Sequence, residues 1–194
     1  MNKPTPLPVE QRVRALREGA NVQRFHTIPT IGDASVGKHS WGVASLILEL
    51  NPNPSVALLR AALYHDAAGE RFAGDVPGQI GKWVDPVLGE RQNQVEALFA
   101  AKVGISIELN AEEMEWLKSC DMLELFMFAQ DQIALGNRNM YQPRNRAKRW
   151  AEQNAMRMPS IVYAAFQWEW ERVDDEPWWP EINQAVKDND FNQR

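Results

Sequence analysis

Apolar residues recur at helical spacing along nearly the whole chain, and no stretch shows the sustained apolar and polar alternation of a half-buried strand. The pattern therefore predicts an all-α fold. Residues 8–19 read as a first helix, with Val13 and Leu16 as its apolar stripe and Gly19 as a stop signal. Pro29, Gly32 and Asp33 mark residues 25–36 as a loop. A second helix is expected over 38–50, with Trp41, Ala44 and Leu48 on its inner side, ended by Asn51-Pro52-Asn53-Pro54. Residues 55–68 form a nearly all-apolar helix, which implies burial on most sides. Gly69, Gly74, Pro77, Gly78 and Gly81 then break the pattern, so residues 70–84 read as an irregular segment. Further helices are expected over 86–103, 111–135, 143–158 and 160–173, about seven in all. Trp168, Trp170, Trp178 and Trp179 crowd the last part, where they are expected to pack a core or an interface between copies, and the polar tail after Ala185 is expected to fray.

Size and composition narrow the class without naming a function. At 194 residues the chain is expected to form one domain over 1–194, large enough to bury a substantial core. Cys120 is the only cysteine, which excludes an internal disulfide and suits a reducing, cytoplasmic setting. A net charge of -5 argues against a broad surface for a nucleic-acid polymer. No apolar run approaches the roughly 18 residues of a membrane span, so no membrane partner is expected.

Candidate chemistry comes from polar residues that interrupt apolar helices. Of the three histidines, His39 opens one such helix and His65 heads the dipeptide His65-Asp66 in the next. Asp121 stands between Cys120 and Met122 in a strongly apolar stretch, where an unpaired carboxylate would cost several kcal/mol. Imidazole nitrogens and carboxylate oxygens are the donors of a hydrolytic metal centre, and His39, His65, Asp66 and Asp121 supply that set. Taken singly, His65 reads more commonly as a hydrogen-bonded core histidine; the set together argues for a cation. Glu70 lies one helical turn beyond Asp66, and Asp75 sits in the Gly74-Asp75-Val76-Pro77 turn. So many carboxylates close together would repel unless a cation were present.

The segments Lys38-His39-Ser40-Trp41-Gly42-Val43-Ala44, Ala62-Leu63-Tyr64-His65-Asp66-Ala67-Ala68-Gly69-Glu70 and Gly74-Asp75-Val76-Pro77, followed by Asp121, resemble the HD-domain phosphohydrolases. Within that superfamily the chain looks most like bacterial 5′-deoxynucleotidases and phage dATP triphosphohydrolases. The resemblance covers about residues 23–136, with C-terminal helices over about 143–189 expected to pack on that compact HD core. It implies that His39, His65, Asp66 and Asp121 bind a divalent metal ion (Zn, Co, Mn or Mg), and that Glu70 and Asp75 serve catalysis. It also implies that Arg24 contacts phosphate and that Phe25, where the family usually has Trp, packs the sugar and disfavours a ribose 2′-hydroxyl. Lys38, Lys82 and Arg71 are candidates for neutralising phosphates, and His26 for touching base or phosphate, with loop packing its alternative. Three positions depart from the pattern: Lys38 replaces a frequent Glu, Gly81 stands where Lys is common with Lys82 one later, and Phe25 replaces Trp.

The expected activity is metal-dependent hydrolysis of a 2′-deoxynucleotide through attack by an activated water, with Glu70 orienting or deprotonating it. Extra cations near Lys38 and Lys82 tilt the expectation to a dATP or dNTP triphosphohydrolase. A 5′-deoxynucleoside monophosphatase is the first alternative. A non-catalytic nucleotide-binding protein pinned by its metal is the second, and a Trp-rich interaction module the third. Relatives imply a homo-oligomer.

Overall fold

The structure, a computed structural model, describes residues 5–67, 86–105 and 107–171. Among these residues there are seven α-helices: α1 Val9–Ala20, α2 Val36–Leu50, α3 Val56–Tyr64, α4 Pro86–Lys102, α5 Ala111–Ala134, α6 Tyr141–Asn154 and α7 Ser160–Glu171. A 3-10 turn, Arg138–Met140, leads into α6, and the described residues contain no strand. Among the described residues the only pairing of the β type is an isolated antiparallel bridge between Gln23 and Ser35, which closes the loop between α1 and α2 at its base.

Helix α5 is the central post. Its 24 residues span about 36 Å, and α2, α3, α6 and α7 all pack against it. Asn110 caps it: the side chain accepts from the Glu113 N–H at 2.9 Å while the Glu113 carboxylate accepts from the Asn110 N–H at 3.0 Å. The other Glu113 oxygen accepts from the Ser55 hydroxyl, and Ser55 itself caps α3 by accepting from the Leu58 N–H. The starts of α3 and α5 are thus tied together, and α3 is oriented so that its C-terminal end delivers His65 toward the middle of α5. The core between these helices holds Val43, Ile47, Leu58, Leu123, Phe126 and Phe166. Cys120 is buried there as well, and burial, helped by the charge of Asp121, pushes its thiol up to about 12, as suits a core residue rather than a reactive one.

The helices stand close to where the periodicity placed them, but several faces are turned. Trp41 and Leu48 are 70% and 58% exposed; the inner side of α2 is instead Val36, His39, Ser40, Val43, Ala44 and Ile47. The expected stripe assumed that apolar residues face inward, and two buried polar residues rotate the helix away from it. Val13 is 63% exposed, while Leu16 packs against a small second cluster around Val103 and Ile105. In α3, Val56 and Leu63 are exposed, so this helix is buried on one side only.

Gly19 lies inside α1 rather than ending it. A Cβ there would sit 2.1 Å from the Ala67 carbonyl oxygen, so its lack of a side chain lets α1 cross directly over the chain just after His65 and Asp66. Pro143 falls in the first turn of α6, where a missing N–H is tolerated. Trp170 packs on the core with the Lys148 ammonium 4.2 Å from its ring, whereas Trp168 is exposed. Trp178, Trp179 and the polar tail lie outside the described residues. No helix among the described residues is long and apolar enough to cross a membrane.

Candidate metal centre

Three helices bring His39, His65, Asp66 and Asp121 to one place. His39 projects from the buried side of α2, His65 is the residue that closes α3, Asp66 follows it, and Asp121 sits midway along α5. One ligand atom from each of His39, His65 and Asp121 lies within 4.8 Å of the others. The His39 Nε2 is 3.0 Å from Asp121 Oδ1 and 3.5 Å from Asp66 Oδ2. The His65 Nε2 is 3.4 Å from Asp66 Oδ1 and 3.9 Å from Asp121 Oδ1. His65 keeps the helical backbone, with φ -55° and ψ -39° and its N–H on the Ala61 carbonyl, so its direction and that of Asp66 differ by about 100° around the axis and the two side chains reach a point lying between them.

These close approaches lack hydrogen-bond alignment. Both Nε2 atoms are buried and neither has a hydrogen-bond partner. Two ligands on one tetrahedral zinc ion, each about 2.0–2.2 Å from it, stand roughly 3.3 Å apart, and the observed separations of 3.0 to 3.9 Å bracket that spacing. Lone pairs converging at such distances without donating to one another fit a shared cation.

The far edges of both rings settle which nitrogen is free. His65 Nδ1 faces the Ala62 carbonyl oxygen at 2.9 Å, and a carbonyl can only accept, so Nδ1 carries the proton and Nε2 keeps its lone pair. His39 Nδ1 meets the Glu124 carboxylate, which by the same reasoning accepts from it. Holding the remote N–H in this way is how proteins orient a histidine ligand.

With no cation between them, these groups bind protons instead. Burial alone would lower the pKa of His65, but Asp66 and then Asp121 outweigh it and push the imidazole up to about 9. His39 is likewise raised, against the cost of its burial, by Asp121 and Glu124. Burial would raise the pKa of Asp121, yet the two imidazole edges hold it well below the usual carboxylate range. Such opposed shifts in one cluster mark groups built around positive charge.

Beside this cluster lies a shelf formed by the loop between α1 and α2. Arg24 places a guanidinium nitrogen 3.7 Å from Glu124 Oε2 and lies 5.5 Å from the Phe25 ring. Phe25 adopts a φ of 59°, a left-handed conformation uncommon for a bulky residue. That turn lays its ring flat on Phe128 of α5, centroids 5.3 Å apart and planes 8° from parallel. Arg24, Phe25, Lys38, His39, Glu124 and Phe128 line a cavity of about 80 Å³.

The loop is held from the far side by amides. Gln132 accepts from the Ile31 N–H at 2.7 Å and donates to the Ile31 carbonyl at 2.8 Å, and Asn137 donates to the Pro29 carbonyl. Lys38 is exposed and pairs with Asp33 at 3.0 Å, and His26 is exposed. Glu70, Arg71, Asp75 and Lys82 lie outside the described residues.

Sequence reasoning missed Glu124, Phe128 and Gln132. Together with Asp121 they fall within an arc of about 80° on α5, so one stripe of that helix meets the metal cluster, the arginine, the aromatic ring and the loop backbone in turn. The signal available was Asp121, Glu124, Phe128 and Gln132 at spacings of three, four and four, one face of an apolar helix on which three of the four residues are polar.

No family model matches the chain, and no curated protein does. Among solved structures, the chain is similar to the HD phosphohydrolase DatZ of cyanophage S-2L, a structure with dA and one catalytic Zn2+ ion bound. The likeness has a TM-score of 0.63 at 20% identity and covers 88% of this chain and 98% of that one. Likeness at this level shows a shared fold, the helical fold of an HD phosphohydrolase.

Proposed function

We propose that this chain is a metal-dependent phosphohydrolase of 2′-deoxynucleotides, and specifically a deoxynucleoside triphosphate triphosphohydrolase with dATP as its best substrate. The observation that carries the reading is the convergence of two buried, unpartnered imidazole nitrogens on Asp66 and Asp121 beside an arginine and a stacked aromatic pair. The fold shared with an HD phosphohydrolase solved with dA and zinc supports it.

In this reading His39, His65, Asp66 and Asp121 hold one divalent ion, with Zn, Co, Mn and Mg the candidates. Such an ion supplies charge to a phosphoryl oxygen and acidifies a bound water. Arg24 offers a planar donor fork to the phosphates, and its flank on Phe25 restricts where that fork points. Phe25, pinned on Phe128, forms a wall for the sugar on which a 2′-hydroxyl would be desolvated without a partner. Glu70 and Asp75 are assigned to orienting and deprotonating the water, and Lys82 and His26 to contacts with the nucleotide. A homo-oligomer of single-domain chains belongs to the same reading, with exposed Trp41 and Trp168 as apolar surface available for it.

One observation favours the deoxynucleoside monophosphatase as the second reading. Lys38 pairs with Asp33, so one of the cations expected for a longer phosphate chain is already engaged. The purified chain, loaded in turn with zinc, cobalt, manganese or magnesium, would be given deoxy- and ribonucleotides at each phosphorylation level. Triphosphate released from dATP supports the first reading and orthophosphate from dAMP the second. Absence of phosphate, pyrophosphate and triphosphate release from every nucleotide would overturn both.

A further inference from the structure

Glu124 makes no approach to the cluster's Nε2 atoms, yet its Oε2 meets both the Nδ1 edge of His39 and, at 3.7 Å, the guanidinium of Arg24. All three side chains are largely buried, with 18% or less of each exposed. We propose that Glu124 is the positioning residue that joins the metal centre to the phosphate-binding arginine, fixing the His39 tautomer with the same carboxylate that aims Arg24. The proposal rests on the metal-site reading above and adds to it a coupling between two subsites.

Three features support it independently. First, a carboxylate can only accept, so by accepting from Nδ1 it leaves the Nε2 lone pair of His39 free for a cation. Second, the space for Glu124 is built into the facing helix. A Cβ on Gly42 would lie 2.9 Å from Glu124 Cγ and 3.4 Å from its Oε1, so only glycine on α2 leaves this side chain its room. Glycine inside a helix is otherwise unfavourable relative to alanine, which makes its presence one turn after His39 informative. Third, Arg24 on the loop and His39 on α2 line the same cavity yet share no direct pairing among the described contacts, so the carboxylate of Glu124 is the link between them.

Two properties of the 194-residue chain separate this role from a merely structural one: its zinc dissociation constant, measured by competition with a chromophoric chelator, and its visible absorption spectrum with Co2+. Glu124→Leu is expected to weaken zinc by about 10–100-fold and to shift the cobalt bands. Glu124→Gln keeps an acceptor for His39 but loses the charge facing Arg24. Its zinc affinity is expected to fall less than that of Glu124→Leu, while KM for dATP rises with little change in kcat. Gly42→Ala keeps Glu124 and favours the helix, yet is expected to weaken zinc in the same direction as Glu124→Leu because it crowds Cγ. Thermal unfolding of each metal-free variant checks that it is folded.

Zinc affinity and cobalt bands unchanged in Glu124→Leu would overturn this proposal alone, provided His65→Ala still abolishes zinc binding. Zinc uptake by the parent chain that ignores His65 would overturn the metal-site reading and this proposal with it. If Glu124→Gln lost zinc as severely as Glu124→Leu, with KM unmoved, the link to Arg24 would be refuted.

Discussion

Along one face of α2, His39 and Ser40 are as thoroughly buried as Val43 and Ile47 a turn or two later. The apolar end sits against Leu58, Leu123 and Phe126, where burial is favourable by itself, about 1.5–3 kcal/mol for a side chain of this size. At the other end burial is unfavourable by itself, and each polar atom needs a partner. His39 has one on its Nδ1 edge and none on Nε2. Equal burial therefore divides the labour: the Ile47 end holds the fold, and the His39 end holds an unsatisfied site that the fold is stable enough to carry.

The sharpest way to break that division is to damage each end and measure the same quantity. Phe126→Ala, which removes a fully buried ring tilted against Phe166 with centroids 5.5 Å apart, is expected to cost about 3–5 kcal/mol in urea unfolding. A loss below about 1 kcal/mol would show that the fold does not depend on the apolar end.

A smaller effect sharpens the polar end. Zinc at a hundred times its dissociation constant is expected to stabilise the parent by about 2.7 kcal/mol, raising the melting temperature. In Asp121→Ala that increment is expected to vanish together with activity, while the metal-free protein stays folded. An undiminished zinc increment in that variant would remove Asp121 from the centre.

The smallest effect is graded in pH and concerns the metal-free chain. His65 has a folded pKa of about 9, above its ordinary value near 6.5, so its contribution is complete below about 6.5 and is lost as pH rises through 9. Asp121 is depressed, so its contribution is present above its ordinary range near 4 and is lost as pH falls below it. Metal-free stability is therefore expected to be greatest between roughly pH 4 and 6.5, with a slope of at most about 1.4 kcal/mol per pH unit for each proton. Since a proton on His65 competes with a cation, zinc affinity is expected to strengthen over the same rise toward pH 9. Urea midpoints and zinc dissociation constants across that range check both signs; a metal-free maximum at pH 9 would contradict the cluster's electrostatics.

How far the chain was legible depends on how local each property is. The 3.6-residue period, the Asn51-Pro52 stop and the loop around Pro29 and Gly32 act over a few residues, and the helices lie within a few residues of where they were expected. His39, His65, Asp66 and Asp121 could be singled out because each is a costly residue in an apolar setting, and the structure brings all four together. Glu124 gave no such alarm, since a glutamate three residues after Asp121 reads equally well as a solvated face. The inward side of α2 was misjudged for the complementary reason. A rule that turns tryptophan and leucine inward fails where a buried imidazole takes that side of the helix.

The sequence alone determined the helical class, the approximate ends of the helices and the small set of polar residues too costly to bury without purpose, because these depend on backbone period and on transfer free energies carried by each residue type. Only the tertiary structure decided that α2 rotates His39 inward, that α5 sets Asp121 opposite His65 and Asp66, and that Glu124 answers His39 across 85 positions of sequence. Those outcomes are set by how whole helices pack around α5, and no short window of residues carries that information.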